Sequence, residues 1–175
     1  MYTKDSFLTS IALEAKIIKH LVGQIPSGKA EWRLTPPQRS TIELVRFLSF
    51  MPLASVEFAL TQAWDKWGGH EASAKDLQPA GFAKAMDQQI KGITKLLAKH
   101  GDAALKRKTT KHWNGSTLTL GEGLIEMVLK TMVAYRMQLF LQVKASGAPQ
   151  LGTSDCWQGK AAKAKKGKKG KKGSA

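Results

Sequence analysis

Residues 120–144 constrain the fold of this chain more than any other stretch. Leu120, Leu124, Met127, Thr131, Ala134, Gln138 and Leu141 recur at spacings of three and four. Beside them runs a second row of Ile125, Val128, Met132, Tyr135 and Leu139. Such spacings put each row on one helical face, and two adjacent rows make the helix apolar over an unusually wide arc. A helix of that kind must be covered on several sides, either at the centre of a bundle or against a second copy of the chain. Glu126, Lys130 and Arg136 interrupt it, which argues against a membrane span. Thr119-Leu120-Gly121-Glu122 supplies a capping-box pattern at its start, and Gly147 and Pro149 come after it as stop signals.

Three further amphipathic segments are predicted. In the first, Leu8, Ile11, Ala15, Ile18, Val22 and Ile25 share a face; Asp5 or Ser6 is placed to cap it, and residues 23–26 to end it. The second opens on the capping box Ser40-Thr41-Ile42-Glu43, carries Leu44, Phe47, Leu48, Met51, Ala54 and Phe58 inward, and is expected to kink near Pro52 and stop before Gly68-Gly69. The third starts near Pro79 and buries Phe82, Met86, Ile90, Ile93 and Leu97 up to His100-Gly101. Between it and the fourth lies a basic loop holding Lys106, Arg107, Lys108, Lys111, His112 and Trp113. β signals are weak throughout. The expectation is an all-α fold of four helices.

The chain has 175 residues, enough for one domain with a proper core, and an apolar share of 42% that suits a globular protein. The N-terminus turns amphipathic at once, without the apolar run of a secretory signal, so the cytoplasm is the expected compartment and no membrane association is expected. A single cysteine, Cys156, forbids an internal disulfide and lies beside Trp157 in a segment expected to dock on the helices through Leu151 and Trp157.

The net charge of +15 is unevenly placed. Lys160, Lys163, Lys165, Lys166, Lys168, Lys169, Lys171 and Lys172 sit in a terminal segment without an acid; the rest of the chain carries 20 basic and 13 acidic residues. Residues 1–158 therefore read as the folded domain and residues 159–175 as a disordered basic tail, because lysine, glycine and alanine cannot repay the entropy of ordering. Such a polycation attracts nucleic acid or another polyanion non-specifically. It lacks the aromatics of a stacking platform and the arginines that read base edges.

Helix lengths, loop order and two local motifs resemble the DinB-like (YfiT-type) four-helix bundle family. The motifs are residues 40–48, running from Ser40 to Leu48, and Ala134-Tyr135-Arg136-Met137-Gln138. The first resembles the family's capped entry to helix two, the second its His-Arg-Gly-Gln segment in helix four. The resemblance implies a metal site of three histidines, one on helix two and two spaced i,i+4 on helix four. Those positions carry Phe47, Thr131 and Tyr135, none of which is a zinc or nickel ligand of any strength. Arg136 and Gln138 keep the pattern, whereas Met137 stands where glycine is usual.

The expectation is thus a scaffold that has lost its metal and needs no cofactor. His20, His70, His100 and His112 lie in different segments, and Glu43, Glu57, Glu122 and Glu126 are scattered, so neither set suggests a replacement site. Phe47, Thr131, Tyr135 and Gln138 become candidate pocket residues, although aromatics at helical spacing more often fill a core. A non-enzymatic binding or structural protein, homodimeric through its helices, is the favoured reading. The alternatives are a metal-dependent thiol transferase or hydrolase-like enzyme with other ligands, and a small-ligand-binding module that uses the vacated pocket.

Overall fold

A computed structural model describes residues 3–161 of the chain, so the lysines from Lys163 to Lys172 and the expected disorder of the tail lie outside the described residues. The protein is mostly helical, with one small two-stranded sheet. The four expected helical stretches are α1 (Lys4–Val22), the pair α2 (Thr41–Leu48) and α3 (Met51–Thr61), α5 (Phe82–Leu97), and α7 (Leu120–Leu124) continuing into α8 (Lys130–Ala145). The short α4 (Trp67–Ala74), α6 (Asp102–Arg107) and α9 (Thr153–Gln158) lie between or after them. α1 packs between α5 and α8, α2 lies on α8, and α3 on α5, enclosing the main apolar core, with a small second cluster of Phe50, Ala54 and Ala74. Among the described residues no single helix is long and apolar enough to cross a membrane; α2 and α3 together have that length and composition but are bent by 42° and largely buried.

Both capping boxes form. Ser40 Oγ accepts from the Glu43 N–H while Glu43 Oε2 accepts from the Ser40 N–H at 2.6 Å, and Thr119 and Glu122 repeat the arrangement. The cap of α1 differs: Thr3 Oγ1 accepts from the Ser6 N–H at 3.1 Å, so the helix starts earlier than Asp5 or Ser6 would place it. The expected kink at Pro52 is a true break. Phe50 leaves the helical region, and Pro52, which has no N–H to donate, enters the first turn of a new helix.

Two expectations are corrected. α3 ends at Gln62, in the left-handed conformation at φ 61°, well before Gly68-Gly69, and those glycines lie inside α4. Tertiary contacts outweigh their poor helix propensity: Trp64 stacks on Phe58 at 4.0 Å, Trp67 meets Phe50 edge-on at 5.3 Å, and His70 pairs with Glu57 at 2.8 Å. The basic loop is likewise structured. α6 leads into the hairpin of β1 (Thr109–Lys111) and β2 (Thr117–Thr119), with Thr110 opposite Leu118.

The width of the apolar arc on the last helix also has a local cause. Residues 125–129 form a π turn between α7 and α8. Its extra residue rotates α8 relative to α7, so burial passes from Leu120, Leu124 and Met127 to Met132, Arg136, Leu139 and Val143. The second half of the first row, including Ala134 and Leu141, turns to solvent, and Leu141 is 51% exposed.

Candidate functional site

The C-terminal half of α2 and the loop before the helix meet α8 at the positions singled out by sequence. Phe47 on α2 and Tyr135 on α8 touch edge-to-face with ring centroids 5.0 Å apart. Both are half-buried against the main core. Arg39, from the loop, lays its guanidinium 4.2 Å from the Phe47 ring centroid and donates from Nη1 to the Tyr135 hydroxyl at 3.4 Å. Gln142, one turn beyond Gln138, donates to the Arg39 carbonyl at 2.8 Å and thereby fixes the loop to α8. Thr131 and Gln138 share the face of Tyr135 and are half-buried.

Beside this aromatic contact opens a cavity of about 450 Å³. Phe47, Phe50 and Pro37 give it apolar walls; Arg33, Arg39, Arg46 and Lys75 place four cations around it, and Glu43 and Glu71 two carboxylates. Thr131, Tyr135 and Gln138 are not among its lining residues, so of the candidate pocket residues only Phe47 forms the wall itself.

The cations are held to different degrees. Arg46 donates from Nε to the Leu77 carbonyl at 3.2 Å, which orients its fork. Arg33 donates to the Gln38 carbonyl at 2.8 Å and pairs with Glu43 at 3.1 Å. Lys75 forms no ion pair among the described residues. The Glu43 carboxyl is held below its ordinary value by the Ser40 N–H and then by Arg33, so its charge is committed to the capping box and to one arginine. The excess cation is left facing the cavity. Sequence periodicity could not reveal Arg33, Arg39 or Lys75, because loops and helix ends have no period; three arginines within residues 33–46 were the signal available.

Arg136 is placed elsewhere. It is 1% exposed, points away from Tyr135, and reaches Glu14 on α1 with Nε at 2.8 Å from Oε2. Its Nη1 donates to the Cys156 carbonyl, and the Trp157 ring lies over the guanidinium at 4.8 Å. The terminal segment docks through Leu151, as expected, but its second anchor is Cys156 rather than Trp157: Leu151 and Cys156 are each 2% exposed, whereas Trp157 remains 58% exposed. His20 Nε2 lies 2.8 Å from Asp155 Oδ1 and joins α1 to the same terminal segment. Burial raises the Cys156 thiol above its ordinary value, against the pull of Arg136, so this is no activated nucleophile.

A metal centre of the kind the DinB-like resemblance implies does not fit these residues. Phe47 and Tyr135 occupy two of the three positions with rings in contact, and among the described residues no three His, Cys, Asp or Glu side chains come together as a ligand group. What fold and site define is a mostly helical protein with a cation-rimmed, aromatic-walled pocket. Compared with models of protein families and with curated protein sequences, the chain matches none.

Proposed function

We propose that this protein is a DinB-like helical bundle, cytoplasmic and homodimeric, whose metal position has been replaced by aromatic packing and whose adjoining cavity binds a small anionic ligand. The observation that carries this reading is Arg39 stacked on Phe47 at 4.2 Å at the edge of a cavity walled by Phe47 and Phe50. Arginine forks recognise carboxylate and phosphate oxygens in pairs, and aromatic walls take the apolar body of the same ligand. The role is binding rather than catalysis: the pocket holds three arginines, a lysine, Glu43 with its charge committed to the capping box and Arg33, and Glu71, with no base–nucleophile pair among its lining residues.

Calorimetric titration with phenylphosphate, benzoate and the neutral benzyl alcohol tests the reading. Binding of the anions but not the alcohol, weakened about tenfold or more by Arg39→Ala, is the expected result. Equal binding of all three, or none, overturns it. Elemental analysis of protein purified without chelator separates the enzymatic alternative, since near-stoichiometric zinc, nickel or iron would restore a metal-dependent transferase or hydrolase-like reading.

The basic terminal segment adds a second, weaker activity in this reading. Lys160 is exposed where α9 ends, and the lysines beyond it in sequence supply salt-sensitive attraction to nucleic acid or another polyanion.

A further inference from the structure

The hairpin of β1 and β2 carries chemistry that neither the pocket nor the terminal lysines use. Its turn is tightly specified. His112 donates its N–H to the Ser116 carbonyl at 2.8 Å, Gly115 returns one to the His112 carbonyl at 2.8 Å, and Gly115 holds φ +89°. Asn114 Oδ1 accepts from both the N–H and the hydroxyl of Ser116, at 3.0 and 2.8 Å. The base of the hairpin is clasped by one side chain: Gln62 donates to Thr110 Oγ1 at 2.6 Å and accepts from the Lys111 N–H at 2.9 Å.

This frame presents Trp113 at its tip, 51% exposed, with the His112 ring 4.6 Å away. An indole held out by a fixed turn loses little freedom on binding. On the hairpin and the end of α6 that leads into it, Lys106, Arg107, Lys108 and Lys111 are all exposed, and none has a carboxylate partner among the described residues. Lys108 converges with Lys4 and Lys99 on half-buried His100, whose proton affinity is lowered first by burial and then by these three cations. The nearby acids are otherwise engaged: Asp102 accepts from the Lys4 N–H at 2.7 Å, and Glu122 caps α7.

We propose that this hairpin is a binding surface for single-stranded nucleic acid, with Trp113 as the base-stacking residue and Lys106, Arg107, Lys108 and Lys111 as phosphate contacts. A base can lie on an indole only when it is free of its own stack, which favours a single strand over a duplex. The cations release counterions from the backbone whatever the sequence, and one arginine among them gives little base-edge readout, so binding is sequence-tolerant. The terminal lysines contribute charge but no stacking.

The test is fluorescence anisotropy of a labelled fifteen-base oligothymidylate and of a mixed-sequence duplex of about the same length, titrated with the full chain and its variants. The single strand is expected to bind more tightly than the duplex. Trp113→Ala is expected to weaken single-strand binding about tenfold and duplex binding little, and Trp113→Phe to recover most of the loss. Trp113 is exposed, so these variants keep the fold, which circular dichroism checks. Unchanged single-strand affinity in Trp113→Ala would overturn the proposal and leave the lysine segment as the whole binding activity. So would Trp113-dependent binding to phosphatidylserine vesicles without binding to the oligonucleotide, which would make the hairpin a membrane-surface contact.

Discussion

Arg136 Nε and Glu14 Oε2 lie 2.8 Å apart in the interior, yet neither atom completes a hydrogen bond. The pair joins α8 to α1, and Arg136 extends the link to α9 through the Cys156 carbonyl. Burial raises the Glu14 carboxyl above its ordinary range, and Arg136 opposes that only in part. A buried ion pair of imperfect geometry contributes little net stability, but breaking it strands a charge. Arg136→Met is therefore expected to destabilise the protein by about 3–5 kcal/mol, and Glu14→Leu with Arg136→Met to recover much of that loss. Urea unfolding of both variants measures it.

Asp155 titrates in the opposite sense to Glu14. Burial alone would raise its carboxyl, but the Gly152 N–H and His20 outweigh burial and hold it below the ordinary 3.8. Its contribution is thus present above pH 3.8 and is lost as pH falls through the depressed value. Asp155→Asn should cost about 1.5–3 kcal/mol at pH 7, and the difference from the parent should shrink towards about pH 3. Unfolding curves at the two pH values decide it.

Gly123 marks where α7 meets the hairpin. A Cβ there would stand 2.3 Å from Thr110 Cγ2. Gly123→Ala is expected to cost about 1–3 kcal/mol by overpacking. Adding Thr110→Ser removes the clashing methyl and keeps the hydroxyl that Gln62 holds, so the double variant should regain most of the loss in thermal melts.

Placing histidines at the three positions tests the proposed DinB-like assignment. Phe47→His with Thr131→His and Tyr135→His places two imidazoles at i,i+4 on α8 and one on α2, a set suited to a divalent transition metal. Zinc binding at one equivalent by calorimetry is the expected outcome, and the parent protein is expected to bind none at these positions.

Leu141 and Val133 expose apolar surface on α8, 51% and 36% respectively, and the proposed homodimer would use it. Sedimentation should find a dimer for the parent chain and a shift towards monomer for Leu141→Asp.

Local signals predicted the elements whose causes are local. Ser40 with Glu43 and Thr119 with Glu122 satisfy amides one turn away, so both helix starts were readable as four-residue patterns. Pro52 breaks the second helix for want of an N–H, and Phe82, Met86, Ile93 and Leu97 bury the face their spacing implies. Gly68-Gly69 misled because aromatic packing against Phe50 and Phe58 holds a helix that propensity disfavours. The hairpin escaped notice because its strands have three residues each, too short for alternation to show.

For the candidate site, Phe47 and Tyr135 were placed by their spacing and by the DinB-like resemblance, and they do touch. Arg39 was missed: its contacts are with Tyr135, 96 residues away, and with the ring of Phe47.

The helical character of the chain, its main helix starts and most of its core were set by residue order alone, because capping and amphipathic burial act over one or two turns. Tertiary packing was needed to turn Arg136 inward to Glu14 and Cys156 while Tyr135, its neighbour, meets Arg39 and Phe47. Adjacent helical residues point about 100° apart. What each then meets depends on which helix packs on that side, and that is a property of the assembled fold.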